Sequence, residues 1–143
     1  MVRYRYLDHT ADIEYIAYGK SRDELFANAL SAMFDTMAYV KRLERQGGKA
    51  TVFAVRTRAD RLEDLFWYSL QDTLSELEAR RLFAYKIRSL KVSRRGGAFF
   101  MRAEIMARKR TDALSKLAVK GVSRYDLMVW GGKAFQAGVV LDV

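Results

Sequence analysis

Apolar residues recur at helical spacing in two stretches of this chain and at strand spacing through most of the rest. After Ser21 the positions Leu25, Phe26, Ala29, Leu30, Met33, Phe34 and Met37 repeat at intervals of three and four, which predicts a core-facing helix. Its opening, Ser21-Arg22-Asp23-Glu24, has the form of a capping box, in which a serine hydroxyl takes an orphan amide and a glutamate reaches back. Asp60-Arg61-Leu62-Glu63 repeats that form ahead of Leu62, Leu65, Phe66, Leu70, Thr73, Leu74 and Leu77, and predicts a second helix. The two helical sequences are unlike, so no internal repeat is indicated.

Strand signals surround these helices. Residues 13–18 form an apolar run ending at Gly19, and residues 51–57 alternate, with Phe53 and Val55 on one face. Residues 85–93 and 99–108 flank Arg94-Arg95-Gly96-Gly97, and residues 118–130 and 134–143 flank Gly131-Gly132-Lys133, two hairpin signals. The polar stretch 41–49, with Gly47-Gly48, reads as a turn, and the charged stretch 109–116 as the most mobile connection. The expected fold is α+β: one domain over residues 1–143, with two helices packed on one face of a mostly antiparallel sheet of about six strands.

Composition narrows the chemistry. Of 143 residues, 50% are hydrophobic, enough for a sizeable core. No apolar run has the length of a membrane span, and Met1-Val2-Arg3-Tyr4-Arg5-Tyr6 lacks a signal-peptide pattern, so a cytoplasmic protein without membrane contact is expected. With no cysteine and one histidine, thiol nucleophiles, thiolate metal sites and multi-histidine zinc sites are excluded within the chain. A bound metal must rely on oxygen ligands. No serine sits in a nucleophile elbow, and none of the three Gly-Gly pairs has the spacing of a phosphate-binding loop.

The formal net charge is +9, and arginine outnumbers lysine. That balance favours nucleic acid or an acidic partner. Lys86, Arg88, Lys91, Arg94 and Arg95 gather around one hairpin, with Arg102, Arg108, Lys109 and Arg110 next to it and Tyr85, Phe99 and Phe100 interleaved. This suits either a single-strand stacking platform or a solvated face over core aromatics.

Asp8-His9-Thr10-Ala11-Asp12 concentrates the only histidine and two carboxylates in a loop that feeds a strand. Asp142 lies at the far end of the chain, on the face of the last strand shared by Gln136, Gly138 and Val140. If the strands bearing Asp12 and Asp142 are neighbours, their carboxylates can converge on a hard cation, with the Val143 carboxylate adjoining. On the residues alone, a pair of unrelated surface aspartates is the favoured reading.

The same stretches carry a family resemblance. Asp8-His9-Thr10-Ala11-Asp12 resembles the N-terminal signature of the archease family, commonly Gly-His-Thr-Ala-Asp, and Val139-Val140-Leu141-Asp142-Val143 resembles its C-terminal one. Ser21-Arg22-Asp23-Glu24-Leu25-Phe26 and Val119-Lys120-Gly121-Val122-Ser123 resemble family segments in the expected order, so the similarity spans the chain. Departures are Asp8 for glycine, Gln71-Asp72 for Asn-Glu, and Ser123-Arg124-Tyr125 for Thr-Tyr-His.

The resemblance implies an accessory protein, not an enzyme. Archeases promote guanylylation and repeated turnover of the guanylate-dependent tRNA-splicing RNA ligase. It also implies that Asp12 and Asp142, with Val143, bind a divalent cation (Ca2+, Mg2+ or Mn2+), and that His9, Asp72 and Lys120 serve ligase activation. His9 is expected to orient the Asp12 loop rather than to ligate. The alternatives are a basic RNA-binding module acting on tRNA or other structured RNA, and a free-standing metal-dependent phosphoryl-transfer enzyme.

Overall fold

The computed structural model describes residues 2–8, 12–123, 128–129 and 134–143. The chain runs through strands β1 (Tyr4–Leu7) and β2 (Ile13–Gly19), helices α1 (Arg22–Met37) and α2 (Val40–Arg45), strand β3 (Thr51–Ala59) and helix α3 (Leu62–Arg80). The hairpin β4 (Leu82–Arg95) and β5 (Ala98–Lys109) follows, then a 3-10 turn at Asp112–Leu114 and strands β6 (Gly121–Ser123), β7 (Met128–Val129) and β8 (Phe135–Asp142).

The α+β class holds, but the strands make two antiparallel sheets rather than one. The first has the order β1-β2-β8-β6, with β7 also pairing β8, and the second has the order β3-β5-β4. Helix α1 packs on β2 and β8 of the first sheet and on β4 of the second, while α3 packs on β3 and β5 of the second and on β6 of the first. The helices are therefore shared between two sheets instead of lying on one face of a single sheet. Their burial explains this. In α1, Leu25, Phe26, Ala29, Leu30, Ala32 and Met33 are all buried, an arc too wide for one sheet to cover. Hydrogen bonds reach α1 from both sides: the Tyr15 hydroxyl donates to the Ala29 carbonyl at 2.7 Å, and the Val92 amide donates to Asp23 Oδ1 at 2.8 Å.

Local signals fared unevenly. At α1 the Glu24 amide donates to Ser21 Oγ at 3.1 Å, and Glu24 Oε1 accepts from the Lys20 amide at 3.3 Å. At α3 the second capping box does not form, because the N-cap is Arg61, which has no acceptor, and Asp60 instead pairs with Arg58 at 3.5 Å. Gly96 and Gly97, with φ of 58° and 79°, make the two-residue turn of the β4–β5 hairpin.

The stretch 41–49 is not only a turn. It holds most of α2, whose Leu43 is buried with Phe83, Tyr85 and Leu114 in a second small core on the outer side of β4. That explains why Leu82, Phe83, Ala84 and Tyr85 are all buried despite the alternation of a strand. The stretch 109–116 is fastened rather than loose: the Tyr39 amide donates to the Leu114 carbonyl at 3.0 Å and the Lys116 amide to the Met37 carbonyl at 2.9 Å. The expected strand over residues 118–130 pairs with β8 only from Gly121 onward, and the Gly131-Gly132-Lys133 turn lies outside the described residues.

Candidate functional site

Strand pairing brings the two chain ends together. β2 and β8 are antiparallel, and Ile13 faces Leu141 as the last pair at one end of the ladder. Asp12 precedes Ile13 and Asp142 follows Leu141, so the register carried one step further sets the aspartates opposite each other. Directly opposed residues in an antiparallel pair project to the same face, with Cα atoms about 4.5–5.5 Å apart. Both residues are half-buried.

Strand β6 builds the surroundings of Asp142. Gly121 pairs with Asp142, and the Lys120 amide donates to the Asp142 carbonyl at 2.7 Å. The Ser123 hydroxyl donates to Asp142 Oδ1 at 2.7 Å. A Cβ at Gly121 would lie 3.5 Å from Asp142 Oδ2 and 4.0 Å from Gln71 Oε1, so both oxygens face the same glycine. Helix α3 holds β6 in place through Val122, whose amide donates to Gln71 Oε1 at 3.1 Å and whose carbonyl accepts from Trp67 Nε1 at 2.7 Å.

The other residues singled out in the sequence divide by position. Val143 adjoins Asp142 and packs partly against the main core. Lys120 is exposed and tied in through its backbone. The Asp72 carboxylate accepts from the Thr57 hydroxyl at 2.8 Å, on the side of the second sheet, while its neighbour Gln71 faces Gly121. Successive residues on a helix point about 100° apart, so this division follows from α3 itself. His9 lies outside the described residues, as do Arg124 and Tyr125. Gln71, Trp67 and Ser123 are site-forming residues that the pattern did not select individually. Gln71 and Ser123 had appeared only as parts of motifs.

Among the described residues no group of three or more histidine, aspartate or glutamate side chains comes together. A cation here would be held by two carboxylates supplemented by neutral oxygens. Asp142, the Ser123 hydroxyl and the Gln71 amide oxygen gather around Gly121, with Asp12 one residue beyond the last β2–β8 pair. Donors of this kind, all oxygen, would suit Ca2+, Mg2+ or Mn2+ rather than a soft metal.

A family model, the Archease protein family (MTH1598/TM1083), matches residues 4–143. The chain belongs to the archease family. Among its relatives, the archease of Methanosarcina barkeri is 31% identical over 107 residues, covering 75% of this chain and 70% of that protein. The archease of Thermoplasma acidophilum is 33% identical over 102 residues, 71% of this chain and 70% of that one. The same fold occurs in the solution structure of Methanobacterium thermoautotrophicum protein 1598, with a TM-score of 0.81 and 20% identity over 99% of both chains. It occurs also in a Thermotoga maritima archease described as a possible chaperone, with a TM-score of 0.62 and 19% identity over 96% of this chain and 94% of that one.

Proposed function

We propose that this protein is an accessory factor of the guanylate-dependent tRNA-splicing RNA ligase, promoting the ligase's guanylylation and repeated turnover without joining RNA itself. Membership of the archease family supports the partner. The observation that supports the site is the β2–β8 register, whose last pair, Ile13 with Leu141, has Asp12 and Asp142 as its next neighbours although they lie 130 positions apart, from 12 to 142. In this reading Asp12 and Asp142 hold a divalent cation, Val143 adjoins it, and backbone or water oxygens complete the shell of six to eight ligands that Ca2+ takes. Bound there, the cation supplies positive charge toward a phosphoryl oxygen. Ser123 keeps the Asp142 carboxylate oriented, and the exposed Lys120 beside it, with His9 and Asp72, serves contact with the ligase. The role calls for a cytoplasmic setting. No described helix is long and apolar enough to cross a membrane.

The experiment is a comparison of the cognate ligase with and without this protein. Guanylylated ligase should accumulate faster with it, and RNA joining should continue past one turnover, whereas the protein alone neither joins RNA nor consumes GTP. Identical ligase kinetics in both arms would end the reading.

A further inference from the structure

The outer face of the β3-β5-β4 sheet carries cations in register. Arg56 faces Arg102 across β3 and β5, and Lys91 faces the same Arg102 across β4 and β5, so the three form one row over the whole sheet. All three are exposed. The adjacent row is Arg58, Phe100 and Ser93, and the Arg95 guanidinium lies 4.6 Å from the centre of the Phe100 ring. Arg56, Arg58, Lys91, Arg95, Arg102 and Phe100 line a depression of about 570 Å³.

Like charges directly opposite each other weaken a sheet, and a solvated face needs only mixed polar residues. Counter-charges inside the protein meet this row only in part. Glu104 is divided between Arg88 at 3.0 Å and Arg102 at 3.8 Å. Asp23 reaches Lys91 at 3.9 Å. Arg56 has no ion pair among the described residues.

The aromatics discriminate further. Tyr85 is buried in the small core under α2. Phe99 and Phe100 are both half-exposed, but Phe99 packs against the main core on the inner side, whereas Phe100 stands in the row beside Arg56, Lys91 and Arg102 and lines the same depression. Arginine forks match phosphate oxygens, and a ring amid basic residues offers a stacking surface for an unpaired base. An acidic peptide would leave the ring unused, and a duplex keeps its bases stacked away from it.

We propose that this sheet face binds single-stranded nucleic acid, with Arg56, Arg102 and Lys91 on the phosphates and Phe100 stacking a base beside the Arg95 guanidinium. The proposal does not depend on the Asp12–Asp142 cation or on the ligase, so it is tested without either. A fluorescent single-stranded RNA oligonucleotide of mixed sequence is titrated with the full chain in EDTA at several salt concentrations. Affinity should fall with salt at a slope of about −0.7 per phosphate neutralised. Replacing Arg56, Lys91 and Arg102 together by glutamine should flatten that slope by about 2 units and weaken binding at least about tenfold at low salt. Arg56→Glu alone should weaken it several-fold, while Arg56→Lys with Arg102→Lys should retain most of it. Phe100→Leu should cost about tenfold on a base-bearing strand and nothing on an abasic strand of equal length. Thermal melting checks that each variant is folded. Unchanged affinity and slope in both glutamine and glutamate variants would overturn the proposal. So would equal losses on base-bearing and abasic strands with Phe100→Leu, or displacement of the RNA by polyglutamate at equal charge, which would mark an acidic protein as the occupant.

Discussion

The Ser123 hydroxyl donates to Oδ1 of Asp142 at 2.7 Å, fixing the rotation of a carboxylate whose other oxygen faces Gly121. Partners that orient a ligating carboxylate typically matter about 10- to 100-fold in metal affinity. Ser123→Ala should therefore reduce Ca2+ or Mn2+ affinity within that range in calorimetric titration, and lower stability by only about 1 kcal/mol. Wild-type affinity in the variant would show that the hydroxyl serves packing alone.

Asp12→Asn and Asp142→Asn should each remove the cation signal and the stimulation of the ligase, with melting temperatures close to wild type. Both residues are half-buried, and neither belongs to the apolar core. Treatment with a chelator should reproduce the loss, and added divalent cation should reverse it in the wild type alone. Full stimulation by either variant would separate the carboxylates from the function.

Gly19 closes β2 against the first turn of α1. A Cβ there would lie 2.3 Å from the Leu25 amide nitrogen and 2.7 Å from its Cα, both backbone atoms that cannot rotate away. Gly19→Ala should destabilise by about 1–3 kcal/mol, the usual range for overpacking, or more if α1 cannot shift. Denaturant melts would register this as a lower midpoint with unchanged slope.

Three tyrosines along the first sheet should make the fold sensitive to alkali. Burial raises Tyr15 well above its ordinary value, with Tyr6 and Tyr4 adding to it, and burial likewise raises Tyr6 and Tyr4. A raised folded value means that the neutral form is favoured by folding. Its stabilisation is complete below the unfolded value of about 10 and is lost as pH rises through the higher folded values. The chain should hold its stability from neutral pH to about pH 10 and then unfold together with late tyrosinate absorbance. Ionisation of all eight tyrosines near pH 10 with the fold intact would contradict this.

The sequence made local features readable and left assembly hidden. The α1 stripe, the Ser21 cap and the Gly96-Gly97 turn depend on residues a few positions apart, and their signals survive in one dimension. The edge strand β1 is four residues long and alternates tyrosine with arginine and leucine, too brief to stand out as a strand. Helix α2 has six residues and one buried side chain, Leu43, so its periodicity is almost empty. The division into two sheets depends on which strands pair over long separations, and alternation alone does not specify that. At the site, Asp12 and Asp142 were already picked out as a candidate pair, on the condition that their strands were neighbours, and that condition is met only by the long-range β2–β8 pairing. Gln71 was overshadowed by Asp72, since a carboxylate looks more like a ligand than an amide does. The α3 geometry turns Asp72 to Thr57 and Gln71 to the strand beside Asp142.

That strand suggests a test of how the site is held. β6 pairs with β8 on one side, and the Val122 amide and carbonyl on its other side are met by Gln71 at 3.1 Å and by Trp67 at 2.7 Å. Side chains of α3 thus occupy hydrogen-bonding positions that a further strand would otherwise fill. Trp67→Phe keeps most of the ring but leaves the carbonyl without its donor, and Gln71→Leu does the same to the amide. Each should cost about 1–3 kcal/mol, the range for an unsatisfied buried group. The double variant should depart from additivity, because both contacts secure one residue. Gly121 and Ser123 flank Val122 and frame Asp142, so loosening β6 should also lower cation affinity and speed hydrogen exchange at Lys120, whose amide donates to the Asp142 carbonyl. Stability lost with cation affinity unchanged would show that β8 alone keeps β6 in register, and that α3 supports the fold without supporting the site.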